Sequence, residues 1–430
     1  MNLVVLLTGA SGFIGHHLKQ ALLAARHQVV CAGRKPPPQT SGGHDSGLRH
    51  VAADFTRDFE SSAWAPRLSG IDVVINAVGI IREHGAQTFE AIHERAPCAL
   101  FAACAAARVR LVIQISALGA DEQAQSRYHL SKKRADDYLR SLPVHSVIVQ
   151  PSLVFGANGA SARLFTTLAS LPMIGLPGTG RQQIQPVHID DVVAAIVSLL
   201  EHPLPSGTRL PLVGPQPMSL RCFLATLRQA MDAGRAHFFP VPLALVGAAA
   251  SAATVLPGSL LEPETLQMLE RGNTASAVPI TAQLGRPPRA AQDFISHAEA
   301  PLLRQQAKLN WLLPLLRWSI ALVWIITGIV SLGLYPVADS YALLARVGIT
   351  GMLAPVMLYG AALMDFAFGI ATLVLRKRRL LWLAQLAVMV FYTAIISWRL
   401  PEFWLHPYGP LLKNLPMAVA IWLLLELEER

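Results

Sequence analysis

Thr8-Gly9-Ala10-Ser11-Gly12-Phe13-Ile14-Gly15 is the stretch that decides the fold. An apolar run, Leu3 to Leu7, leads into it, and a helix-forming segment, Phe13 to Arg26, leads out. A buried strand, a glycine turn and an amphipathic helix in that order open a dinucleotide-binding βαβ unit. Gly9 permits the tight turn. Gly12 lets backbone N–H groups approach a pyrophosphate at the helix N-terminus, where the dipole favours negative charge. Gly15 lets helix and strand pack closely.

The residues that follow continue the pattern. Gln28 to Gly33 reads as a second buried strand and ends at Arg34-Lys35. An acid at this point would bind the ribose 2′-OH of NAD, whereas a cation accommodates the 2′-phosphate of NADP. Arg34 therefore points to NADP(H), with NAD as the alternative. Residues 36–47, rich in Pro, Gly and Ser, read as a loop. His50 to Asp54 reads as a third strand, with Asp54 placed to accept from an adenine amino group. Ile71 to Ala77 is an apolar run typical of a parallel sheet. The small residues of Asn76-Ala77-Val78-Gly79 leave room for a ribose. Thr88 to Ala107 has helical period, and Leu111 to Ile115 is a fifth strand ending at Ser116.

Tyr128 and Lys132 stand at i and i+4 on one helix face. An ammonium beside a phenol favours tyrosinate and lowers a pKa that is ordinarily about 10. Tyr128 is thus the candidate acid/base at a carbonyl, and Lys132 its modulator and ribose anchor. Ser116 is the candidate partner of the developing oxyanion. In Pro186-Val187-His188-Ile189-Asp190-Asp191, Asp190 or Asp191 is the expected N-cap of a helix over Val192 to Leu200.

These pieces together resemble an atypical, extended short-chain dehydrogenase/reductase. They are most similar to the group that includes the NAD(P)H-binding accessory subunit of mitochondrial complex I. The matching segments are TGASGFIG at 8–15, NAVG at 76–79, ISALGA at 115–120, YHLSK at 128–132, QPSLVFG at 150–156 and QPVHIDDV at 185–192. The chain departs from the family pattern at Gln150, where an arginine is common, and at His93, where an asparagine is common. The resemblance implies an NAD(P)-binding doubly wound parallel sheet over residues 1–300, with 151–300 capping the substrate. Its expected cofactor contacts are Gly9, Ser11, Gly12, Phe13, Ile14, Gly15, Arg34, Asp54, Asn76, Ala77, Gly79, Tyr128, Lys132 and Pro151. It implies an oxidoreductase, or an epimerase- or dehydratase-like enzyme. It equally accommodates a nucleotide-bound assembly factor of a membrane redox complex.

Composition adds a membrane. Hydrophobic residues make up 53% of the chain and charged residues 15%, more apolar than a typical soluble protein. The net charge of +9 is scattered rather than striped, so no nucleic-acid partner is expected. Cys31, Cys98, Cys104 and Cys222 lie in apolar contexts without C-x-x-C spacing, so buried thiols are expected, with no metal site. The run from Val241 to Leu256 is short for a span and reads as a packed or membrane-touching helix. After a linker at 301–310 come four apolar stretches, 311–334, 353–375, 380–398 and 411–427. Arg376-Lys377-Arg378-Arg379 between the second and third is expected on the cytoplasmic side. No signal-peptide pattern precedes the first strand, and two spans lie on either side of the basic loop, so both termini and the sheet are expected in the cytoplasm, in a multi-pass inner-membrane protein. Residues 308–430 resemble DoxX-like four-helix membrane domains, through Arg317-Trp318, Asp365 and His406 to Pro416. Asp365 lies deep in its span, where an ionisable group needs a partner, and Arg317 is the candidate. Gly360, Ala361 and Gly369 would let helices approach closely. The expected partners are the bilayer, a small hydrophobic or quinone-like substrate and a membrane redox complex.

Overall fold

The computed structural model describes residues 2–35, 47–253 and 263–428. All but Gly47 of the loop expected at 36–47 lies outside them, as does the end of the apolar run beyond residue 253. Residue contacts divide the chain into two units, Met1–Ala307 and Lys308–Arg430.

The first unit is built on a seven-stranded parallel sheet. Its strands are β1 (Val4–Thr8), β2 (Gln28–Gly33), β3 (Leu48–Ala52), β4 (Val73–Asn76), β5 (Leu111–Ile115), β6 (Ser146–Pro151) and an edge strand, Thr208–Leu212. Across the sheet the order is the edge strand, β6, β5, β4, β1, β2, β3. Leu6 pairs in register with Val30 on one side and Val74 on the other. These apolar runs suit a sheet covered on both faces, and two buried clusters flank it, one around Leu18 and Leu22, the other around Trp64, Leu100 and Phe101. β1 lies between β2 and β4, where the order of connection reverses. Ligands of such folds sit in the crevice there, beyond the strand C-termini. β3 ends two residues earlier than expected, so Asp54 falls in the turn after it rather than on the strand.

Several local expectations change. The helix expected over Thr88–Ala107 is widened into a π-turn at Glu90–Arg95 before continuing as Ala96–Ala106. The N-cap of helix Ile189–Glu201 is His188, whose Nδ1 accepts from the Asp190 N–H, and not Asp190 or Asp191. The helix begins three residues earlier than expected, which leaves both acids inside its first turn. Asp191 is fully buried and holds Arg286 at 2.6 Å and the Arg289 N–H at 2.7 Å. Cys31 and Cys104 are buried, but Cys222 is exposed at the start of helix Leu220–Ala230.

The stretch expected as a linker, 301–310, is helical. Helix Ala300–Ile329 runs through it, with Pro301 in its first turn, where a missing N–H breaks no bond, and no further proline until Pro314. Among the described residues the helices Ala300–Leu334, Leu353–Val374 and Arg379–Arg399 are long and apolar enough to cross a membrane. The fourth expected span is helical only over Asn414–Leu427, 14 residues. That is about 21 Å against a hydrocarbon layer of about 30 Å. A short helix not expected from the sequence, Val337–Arg346, joins the first two long ones. The first two cross at glycines. A Cβ on Gly369 would collide with the Ile325 side chain, and one on Gly328 would stand 2.8 Å from the Ala362 carbonyl oxygen. Gly360 faces open space and plays no part in this crossing. Arg317 does not pair with Asp365: its Nε donates to Glu428 at 2.8 Å.

Candidate active site

Four strand ends make the site. The turns after β1, β2, β3 and β4 enclose a cavity of about 780 Å³, within the roughly 300–1,000 Å³ usual for ligand pockets. Gly9, Ser11, Gly12, Arg34, Asp54, Ala77 and Gly79 are on its wall. Gly9 has φ +69°, and a Cβ there would stand 2.6 Å from the Ala77 carbonyl, so only glycine fits. The Gly12 N–H closes the turn onto the Gly9 carbonyl at 2.9 Å. Helix Phe13–Ala24 begins directly behind, with no side-chain cap. No side chain takes up the first-turn N–H groups, although Phe13, Ile14 and Gly15 themselves are not on the cavity wall. A pyrophosphate of a dinucleotide fits this cradle on backbone grounds alone.

The far end of the cavity suits an adenosine ribose. Arg34, Lys35, His50 and Thr56 stand there with Asp54. Burial works against the Asp54 charge, but the hydroxyl and N–H of Thr56, at 2.7 and 2.9 Å, and the Arg34 and Arg57 charges hold the carboxyl below its ordinary range.

Not every expected contact faces the cavity. Asn76 is fully buried: its Oδ1 accepts from the Thr8 hydroxyl at 2.6 Å and its Nδ2 donates to Gln114 at 2.7 Å. It ties β1, β4 and β5 together beneath the cavity and has no face left for a ribose. Pro151 closes β6, its carbonyl accepting from the Leu118 N–H at 2.9 Å. Gln150, at the family's arginine position, is buried and donates to the Ala120 carbonyl at 3.3 Å.

Helix Arg127–Ser141 brings Tyr128, Lys132 and Asp136 onto one face. The Lys132 ammonium donates to the Val78 and Ile115 carbonyls, each at 3.3 Å. A Cβ on Gly79 would lie 3.1 Å from Lys132 Nζ, so the ammonium stands directly against a residue of the cavity wall. Two sequence expectations fail here. The Tyr128 phenol is not lowered: loss of solvent around it, with the Asp136 carboxylate, pushes it up to about 12. Ser116 is not free for an oxyanion: it is buried and donates to Asp136 Oδ2 at 2.5 Å. Asp136 is itself fully buried, and burial raises its pKa while burial lowers that of Lys132. Asp136 went unnoticed in the sequence, although its place one turn past Lys132 marks it.

His93, at the position where the family commonly has asparagine, is a further member. It is fully buried in the π-turn, stacked on Phe89 with centroids 5.3 Å apart. Its Nε2 accepts from the Ile80 N–H at 2.9 Å, which leaves the proton on Nδ1, 3.0 Å from Ser131 Oγ. Ser131 in turn donates to the Tyr128 carbonyl at 2.8 Å. His93 thus fastens the cavity wall at 77–80 to the helix that carries Tyr128. Burial and the neighbouring Lys132 charge lower its pKa from 6.5 to about 2. The neutral ring therefore stabilises the fold fully above about pH 6.5. That stability is lost as pH falls, because the unfolded chain takes up a proton that the folded one refuses, by up to about 1.4 kcal/mol per pH unit. Unfolding midpoints measured at intervals from neutral to about pH 5 should fall accordingly, and His93→Gln should flatten that decline.

Comparison with known proteins bears on the fold. Residues 5–209 match the NAD dependent epimerase/dehydratase family, and residues 321–422 match the DoxX-like family. A ceramide reductase of Caulobacter vibrioides is 28% identical over 204 residues, 47% of this chain and 62% of that protein. The mitochondrial NADH dehydrogenase [ubiquinone] 1 alpha subcomplex subunit 9 of Dictyostelium discoideum is 29% identical over 220 residues, 48% of this chain and 58% of that protein. The chain thus spans about three fifths of the length of these relatives. Among solved structures, UDP-glucuronic acid 4-epimerase from Bacillus cereus, in complex with UDP-glucuronic acid and NAD, superposes with a TM-score of 0.51 at 20% identity. It covers 72% of this chain and 100% of its own. A nucleoside-diphosphate-sugar epimerase from Staphylococcus aureus gives 0.55 at 16% identity, covering 68% of this chain and 99% of its own. These two show the fold.

Proposed function

We propose that this chain, which carries an NAD dependent epimerase/dehydratase family domain ahead of a DoxX-like family domain, is a membrane-held oxidoreductase that uses NADP(H) on a carbonyl or alcohol borne by a lipid-like or quinone-related molecule. The observation that carries the reading is the Lys132 ammonium set against Gly79 on the wall of the glycine-cradled cavity. When bound there, the nicotinamide supplies or accepts the hydride. Lys132 orients the adjoining ribose, and Tyr128 gives the proton to the carbonyl oxygen or takes it from the alcohol. The Gly9–Gly12 turn and the open first turn of helix Phe13–Ala24 hold the diphosphate. The lipid character of the substrate draws on the name of the ceramide reductase relative and on three helices apolar enough to span a bilayer. The basic cluster Arg376-Lys377-Arg378-Arg379 supports an inner-membrane arrangement with the sheet in the cytoplasm.

Full-length protein in lipid nanodiscs should oxidise NADPH when given keto-lipids and remain idle without them. Failure with every lipid carbonyl or quinone tried would overturn the reading. NADP preference rests on Arg34, which lines the cavity and whose charge acts on Asp54. Arg34→Asp should weaken NADPH binding at least about tenfold and favour NADH, a change of about 1.4 kcal/mol or more. Titration of the two nucleotides measures it, and unchanged NADPH affinity removes Arg34 from the site.

One observation favours a second reading. With Ser116 turned onto Asp136, the oxyanion has lost its expected donor. A nucleotide-bound assembly factor of a membrane redox complex accommodates that arrangement, and the NADH dehydrogenase subunit among the relatives points the same way.

A further inference from the structure

Among the described residues of the second unit, five buried side-chain atoms have no hydrogen-bond partner: Trp324 Nε1, Asp365 Oδ1, Trp382 Nε1, Gln385 Oε1 and Glu428 Oε2. The first four belong to residues no more than 6% exposed. They are not scattered. Gln385 Nε2 donates to Thr372 Oγ1 at 2.8 Å, which fixes the register between helices Leu353–Val374 and Arg379–Arg399. A link of four residues joins those helices, so they run antiparallel. Asp365 lies seven residues before Thr372, and Tyr392 seven after Gln385. Two helical turns along each helix therefore bring Asp365 and Tyr392 to one level.

In the other direction the line reaches charge. The Thr372 carbonyl accepts from Arg378 Nε at 3.0 Å. The Arg378 guanidinium stands 3.8 Å from Glu428 Oε2, and Glu428 Oε1 accepts from Arg317. On the first long helix, the Trp324 ring packs against Phe368 with centroids 5.3 Å apart, and Phe368 is one turn from Asp365. The residues that carry these atoms thus succeed one another along the bundle, from the Arg378–Glu428 pair past Trp382 and Gln385 toward Asp365, with Trp324 and Trp382 in one buried cluster.

Their chemistry is mixed. Two are indole N–H donors and three are oxygen acceptors. A lone donor or acceptor sealed in an apolar interior is costly, and native proteins satisfy such groups. A ligand for this set must both donate and accept, and it must repeat along a line. Water does both and occupies polar interiors in this way. Ionisable residues inside membrane spans characteristically face such wet paths.

We propose that the helix bundle binds a thread of internal water running from the Arg378–Glu428 ion pair to Asp365, with Gln385 as its midpoint contact. This site is separate from the nucleotide cavity and stands whether or not that cavity supports turnover. It gives the mid-span carboxyl a route to exchange with solvent.

Radical footprinting of the full chain in nanodiscs tests it, because a brief X-ray pulse makes hydroxyl radicals from water where that water lies. Mass spectrometry then reads the oxidised side chains. Trp382, 0% exposed, should be oxidised at a rate comparable to that of Tyr408, 76% exposed. Gln385→Leu should lower oxidation of Trp382 and Tyr392 several-fold. Asp365→Leu should lower that of Tyr392 alone, and Asp365→Asn, which still holds water, should leave both unchanged. Tyr408 should be constant throughout as the measure of dose. An unoxidised Trp382 in the unaltered protein overturns the proposal even if no variant folds, and so does oxidation indifferent to Gln385→Leu.

Discussion

Tyr128→Phe should cut turnover by about 100-fold or more, the usual worth of a positioned acid/base, while nucleotide affinity stays as it was. Under the proposed function the phenol is the group left to exchange a proton with a substrate oxygen, since Lys132 donates to two carbonyls and Ser116 to Asp136. With its pKa raised to about 12, Tyr128 is protonated at neutral pH. Under the proposed function it then acts as a donor, and reduction should show no titration of this group near neutrality. Oxidation of an alcohol needs the phenolate and should accelerate as pH rises. Initial rates in both directions across pH, for the unaltered and Phe proteins, measure this. A Phe protein that turns over normally, or that fully restores a strain lacking the gene, would leave the assembly-factor reading standing.

Gly15→Ala should empty the nucleotide site. A Cβ at Gly15 would run into the Gly9 carbonyl oxygen, with the Gly9 carbonyl carbon at 2.7 Å and the Ala10 Cα at 3.1 Å. All three are backbone atoms with no rotamer to change. Relief requires the turn to open, and Gly9 is pressed in turn against Ala77. Overpacking of this kind costs about 1–3 kcal/mol or more. The expected result is a chain that folds with a lowered unfolding midpoint and co-purifies without nucleotide. Equal nucleotide content in the two proteins would show that the turn is not the cradle.

The sheet was readable because its evidence is local. Leu3–Leu7, Gln28–Gly33 and Leu111–Ile115 are apolar runs bounded by turn residues, and the glycine spacing of the first turn states its own geometry. The three long helices were readable for the same reason. What escaped is set by contacts distant in sequence. Nothing near Ser116 says that its hydroxyl will meet Asp136 rather than a substrate, and nothing near Asn76 says that Thr8 and Gln114 will enclose it. Arg317 was paired with Asp365 because both were conspicuous charges in apolar runs, whereas its partner, Glu428, was hidden in the acidic tail. The π-turn at Glu90–Arg95 leaves the period of the flanking helix nearly intact, so the sequence marks His93 as a departure from the family pattern but not as a fully buried ring between two segments of the site.

The crossing at Gly328 and Gly369 has a consequence for the bundle in a living membrane. Where two helices touch main chain to main chain, their separation is dictated by covalent dimensions and not by side chains that can flex. Lipids of different length or saturation can then tilt the pair as one piece without prising it apart, so the interior dimensions beside Asp365 stay constant as the surrounding bilayer thins or thickens.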